Sequence, residues 1–176
     1  MIKLIVFDLD GVLIDSKQNM LISWKKTCLK HNINVPFNNY YNNIGIPFVK
    51  ILEKLNIFHK HKIIESTYKK ESIKNFQCIK FYYDVKNVLL QLNKKGILLS
   101  ILTSKDRERT IKIASKLNIN FNSINSPNKK FRGKPSGDQL LNAISSANVD
   151  LNEAIYVGDT NIDHQTAKKA KVKYVH

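Results

Sequence analysis

The sequence predicts a mostly parallel α/β sheet flanked by helices, with an all-helical segment inserted after the first strand. Three observations predict it. From Asp84 onward, short apolar runs alternate with stretches of helical periodicity, the pattern of repeated βα units with right-handed crossovers. Residues 16–80 carry helical signals only. The first apolar run, ending at Phe7, lies ahead of that helical block and so belongs to the sheet that resumes after it.

Residues 3–8 read as a buried strand, since Leu4-Ile5-Val6-Phe7 is apolar on both faces. From Ser16 to about Lys80 the spacing is helical, first in Met20, Leu21, Trp24, Cys28 and Leu29. Val49, Leu52 and Leu55 continue it, followed by Ile63, Ile64, Thr67 and Tyr68. Between these helices, residues 38–47 are rich in Asn and Tyr and contain Gly45 and Pro47, which predicts a loop. Val85, Val88, Leu89 and Leu92 mark a helix that ends near Gly96, and residues 97–102 form the next strand. Asp106 caps a helix running through Leu117. A weak extended segment spans 121–125. Pro135-Ser136 opens a helix to about Ala147, residues 154–157 form a strand, 162–171 a helix and 172–175 a last strand.

At 176 residues with 43% hydrophobic content, the chain can bury one full core and a smaller one. No run approaches the roughly 20 apolar residues of a membrane span, and the first apolar run breaks on Asp8 too early for a signal peptide. Cys28 and Cys78 lack metal-ligand spacing, and although two cysteines could pair they suggest no disulfide scaffold, so a reducing, cytoplasmic setting is expected. The net charge of +15 invites a nucleic-acid reading. The excess is nearly all lysine, however, scattered through helices with abundant Asn and Ile, so an AT-rich coding sequence explains it and nucleic acid is not the expected partner. The positive field suits small anionic substrates instead.

The scarce acids are more telling. Of 14 acidic residues, Asp8, Asp10, Asp15, Asp159 and Asp163 fall in two short segments. Two carboxylates at the end of a buried strand are costly to desolvate unless a cation sits there, and a hard ion such as Mg²⁺ fits. Thr103-Ser104 follows the second long strand, where a hydroxyl and free N–H groups suit an anionic oxygen. Lys134 precedes Pro135 and a helix start, where a cation and the helix dipole can both face an anion. Gly158-Asp159-Thr160-Asn161-Ile162-Asp163 leaves a third strand, so its carboxylates can complete a metal site with Asp8. Asp15 reads as a turn residue, and Arg107 and Arg109 as solvated side chains opening a helix.

These four segments, in this order and on these elements, resemble the phosphatase branch of the haloacid dehalogenase superfamily, whose Rossmann-like core carries a helical cap after its first strand. The resemblance divides the chain into a core at 1–15 and 81–176 and a cap at 16–80. It implies that Asp8 is the nucleophile that becomes an aspartyl phosphate and that Asp10 is the general acid and base. It implies that Thr103 binds a phosphoryl oxygen and that Lys134 balances charge. Asp8, the Asp10 carbonyl and Asp159 would ligate Mg²⁺, with Asp163 acting through water. Dehalogenases of the superfamily lack an acid at the position of Asp10, so phosphoryl transfer is implied. In the cap, Ile44-Gly45-Ile46-Pro47 resembles the loop of phosphoglycolate phosphatase-like members. Gly45 and Ser104 would then meet the substrate, and Lys50 would contact a second anionic group on a small phosphorylated metabolite.

Two features depart from that pattern. Tyr82-Tyr83-Asp84 stands where a Pro-Gly turn is usual. The sequence ends at His176, just after the last strand signal, so the sheet edge is expected to be short or covered by a partner, as a monomer or a homodimer. A phosphosugar mutase of the same fold and a catalytically weak binding or regulatory protein are the alternatives. Isomerisation without free phosphate would mark the first, and an Asp8→Asn variant with unaltered function in cells the second.

Overall fold

The computed structural model describes residues 1–176. β1 (Leu4–Phe7) forms the middle of a five-stranded parallel sheet with β4 (Leu98–Leu102), β5 (Ser123–Asn125), β6 (Ala154–Val157) and β7 (Lys173–Val175), in the order β5-β4-β1-β6-β7. Leu4 pairs with Leu98 on one side and Ala154 on the other, so the neighbours of β1 end level with it. Both faces of the sheet are covered, which is why its strands read as continuous apolar runs. Leu4, Val6, Ala154 and Tyr156 pack under α7 (Asp138–Ser146) and α8 (Asn161–Ala170). Phe7, Leu99 and Ile101 form the opposite core with α5 (Val85–Lys94) and α6 (Arg107–Ala114). A fully buried Leu or Ile here contributes about 1.5–3 kcal/mol.

The inserted block has its own core. α1 (Lys17–His31), α2 (Phe37–Tyr41), α3 (Phe48–Lys54) and α4 (His61–Lys74) close around Trp24, Tyr40, Leu52, Ile64 and Tyr68. The Trp24 and Tyr40 rings stack with centroids 4.5 Å apart. α2 occupies part of the predicted 38–47 loop: Asn-rich sequence disfavours a helix locally, and burial of Tyr40 against Trp24 overrides it. The chain enters and leaves the block through a two-stranded antiparallel ribbon, β2 (Ile14–Asp15) with β3 (Lys80–Phe81), too short to leave a periodic signal. α7 begins at Asp138 and not at Pro135-Ser136, which form the turn before it. No helix is long and apolar enough to cross a membrane.

Candidate active site

Because β4, β1 and β6 are parallel neighbours, the residues that follow them emerge at one edge of the sheet, the usual place for a ligand in such folds. Asp8, Thr103 and Asp159 arrive together for that reason. Carboxylate oxygens of Asp8, Asp159 and Asp163 lie within 4.8 Å of one another. Gly11 makes the approach possible: its φ is +89°, and a Cβ there would lie 2.0 Å from Asp159 Oδ2.

Lys134, only 2% exposed, ties the acids together. Its Nζ donates to Asp8 Oδ1 and Asp163 Oδ1, each at 2.7 Å, and to the Tyr156 hydroxyl at 3.1 Å. The ammonium reaches the site from the loop ahead of α7, so buried carboxylates hold it and the helix dipole is not needed. Asp163 is already engaged on both oxygens, accepting from Lys134 and Tyr156 on Oδ1 and from the Thr160 N–H and hydroxyl on Oδ2. Burial works to raise its carboxyl, yet Lys134 and these hydrogen bonds hold it below the usual range. Asp159 makes no ion pair and is raised, by burial first and then by the nearby Asp163 charge. Once ionised, the three carboxylates exceed the one lysine by two negative charges, and the hard oxygen donors match a divalent cation.

Asp10 stands on the other side of Asp8. It accepts a short hydrogen bond from the Ser16 hydroxyl and pairs with Lys105 Nζ at 3.0 Å. Lys105, 8% exposed, was not singled out by the sequence, where it is one lysine among many. Its place two residues after Thr103 at a strand end is the signal that could have found it. Burial lowers the Lys105 ammonium, with Asp10 opposing. Thr103 is buried and its hydroxyl accepts from the Lys105 N–H at 3.1 Å. The expected free N–H at Thr103 is absent, because it donates to the Asn125 carbonyl at 2.9 Å to extend the sheet.

Between sheet edge and helical block lies a cavity of about 60 Å³, room for a few water molecules or a group of similar size. Asp8, Asp10, Ser104, Lys105, Gly45 and Arg109 line it. The Ser104 hydroxyl donates to the Gly45 carbonyl at 2.6 Å, closing the block onto the sheet. The structure does not bring Lys50 to this cavity: it is exposed on α3 and paired with Glu53 at 2.8 Å, since its helical position faces solvent. Asp15 is exposed and accepts from the Lys17 N–H at 3.0 Å, a turn role. Arg107 is exposed as expected, but Arg109 is buried, because the helical block covers the face of α6 that carries it.

A family model described as haloacid dehalogenase-like hydrolase matches residues 5–176. A phosphoglycolate phosphatase of Aquifex aeolicus is 28% identical over 176 residues, spanning 97% of this chain and 82% of that protein. The pyrophosphatase PpaX of Bacillus velezensis is 28% identical over 179 residues, spanning 96% and 80%. Among solved structures, a hydrolase from Pseudomonas syringae has the same fold, with a TM-score of 0.88 at 22% identity over 97% of this chain and 82% of the other. A match that runs from the first strand to the last residue, over this sheet and this inserted block, leaves one conclusion: the chain belongs to the haloacid dehalogenase-like hydrolase family.

Proposed function

We propose that this hydrolase is a Mg²⁺-dependent phosphatase of a small phosphorylated metabolite, acting through an aspartyl phosphate on Asp8. The observation that carries the reading is the placement of Asp8. Its buried carboxylate has one oxygen fixed by Lys134, and Asp10 lines the same cavity beside it. The free Asp8 oxygen attacks phosphorus in line, and the ester oxygen leaves with a proton from Asp10. Asp10 then takes a proton from the water that cleaves the acyl phosphate. Ser16 and Lys105 keep its carboxylate aimed at the cavity between these steps. The Thr103 hydroxyl, whose own proton is free, donates to a phosphoryl oxygen, and Lys134 offsets the charge gathering on Asp8.

Asp8, Asp159 and the Asp10 carbonyl would hold Mg²⁺, with Asp163 acting through water because both its oxygens are engaged. When bound, the ion screens the repulsion between carboxylate and phosphate. The small cavity and relatives named for pyrophosphate and phosphoglycolate support a compact substrate, with the helical block serving as a cap over it. The free thiols of Cys28 and Cys78 support a cytoplasmic setting.

Phosphate release from a panel of small esters and pyrophosphate, with Mg²⁺ or EDTA, tests this for wild type and Asp8→Asn. The expected result is release that needs Mg²⁺ and falls by at least about 10³-fold in the variant. Equal release from both proteins would overturn the nucleophile assignment. Isomerised sugar phosphate without free phosphate would replace the phosphatase with a mutase.

A further inference from the structure

The phosphatase reading uses the acidic residues that line the cavity and leaves its arginine without a task. Arg109 lines the cavity and is 6% exposed, whereas Arg107 and Arg132 are exposed. Its Nε donates to Asp106 Oδ2 at 2.5 Å, and the guanidinium makes no other hydrogen bond to a carboxylate. An Asp–Arg pair three residues apart on a helix needs no burial to form, so ion pairing with Asp106 does not explain why the side chain lines a cavity.

Its neighbours extend the donor surface. The guanidinium carbon lies 5.5 Å from the centre of the Tyr68 ring. The Tyr40 and Tyr68 hydroxyls are hydrogen-bonded at 2.9 Å, and such a pair uses one of its two phenol protons and leaves the other for a ligand. Both tyrosines line the cavity with Arg109. The cavity lined by Asp8 and Asp10 therefore also offers a fixed cation with spare N–H donors and a phenol O–H, groups that grip a carboxylate or phosphate.

We propose that Arg109, assisted by the Tyr68 hydroxyl, is a specificity residue that receives a second anionic group on the leaving portion of the substrate. The preferred substrates are then phosphate esters or anhydrides whose leaving group carries a carboxylate or a phosphate. Both anions must fit one cavity of about 60 Å³, so only a short link separates them. This inference rests on the phosphatase reading.

The test compares kcat/KM for phosphoglycolate, pyrophosphate and methyl phosphate in wild type, Arg109→Gln, Arg109→Lys and Tyr68→Phe. Wild type should favour at least one doubly anionic compound over methyl phosphate. Arg109→Gln should lower that preference by about ten- to a hundred-fold, mainly through KM, as loss of a charged hydrogen bond predicts. Arg109→Lys should restore part of it. Tyr68→Phe, which removes one oxygen only, should lower it several-fold and serves if Arg109→Gln does not fold. Preference for phosphoglycolate alone identifies a carboxylate as the second anion; preference for pyrophosphate alone identifies a phosphate. Methyl phosphate turned over as efficiently as both others by wild type would overturn the proposal and leave the phosphatase intact. So would an equal loss on all three compounds in Arg109→Gln and Tyr68→Phe, which marks a structural role. No release from any compound by wild type would overturn the phosphatase reading itself, and this inference with it.

Discussion

Asp8 is where burial and chemistry meet most sharply. Its carboxyl is pushed up to about 7 in the metal-free fold, chiefly by burial, against the pull of Lys134 and with the help of the Asp163 and Asp10 charges. Between the ordinary carboxylate range near 4 and about 7, the folded chain holds a proton that the unfolded chain has released. Rising pH therefore destabilises the metal-free fold through this residue, and Asp8→Asn escapes the effect. In EDTA, the melting temperature of Asp8→Asn minus that of wild type should widen as pH rises from about 4 to about 7. A difference that stays flat across thermal melts in that window would mean that Asp8 is ionised throughout. Single residues were unevenly legible. Asp8, Asp10 and Asp159 stood out because acids are rare in this chain and lie at strand ends. Lys105, Ser16 and Arg109 did not, since their meaning depends on what the fold lays over them: Arg109 looks solvated on an isolated helix and is buried only beneath Tyr68.

At the scale of elements, α8 shows how capping and chemistry share atoms. Thr160 and Asp163 form a capping box at its N-terminus, and the same Asp163 carboxylate anchors Lys134. Its other end closes on Lys171 in the left-handed region, with φ of 56°, a conformation that suits glycine better. Thr160→Ala should lower stability by about 1 kcal/mol, or about 2–4 °C in melting temperature. Lys171→Gly should raise it by about 0.5–1 kcal/mol with activity retained, since that side chain is exposed. Thermal melts with turnover assays check both; an activity loss in Lys171→Gly would place an unseen role at that end. The strands and most helices were legible because their apolar periods are long enough to count. The β2–β3 ribbon and α2 were not. One has only two residues per strand, and the other gains its helix from packing against Trp24 instead of from its own composition.

Across the whole molecule, sheet and helical block keep separate cores and meet over the cavity, joined by the β2–β3 ribbon. The all-helical spacing of residues 16–80 makes the insertion legible but not how it closes onto the sheet, because the Ser104–Gly45 bond joins residues 59 apart in the chain. A Cβ added at Gly133 would lie 2.8 Å from Pro47 Cγ, which marks a second touching point of block and core. Cysteines at both positions, with Cys28 and Cys78 replaced by serine, should form a disulfide that cuts turnover by at least about ten-fold until a reductant is added. Full turnover in the oxidised form would show that the two parts need not separate. The Ser104–Gly45 contact also puts a clock on the protein. Passage of substrate and product past that contact is expected to make kcat depend on a movement as well as on bond breaking. Solvent viscosity would then slow the enzyme even where every proton and charge stays in place.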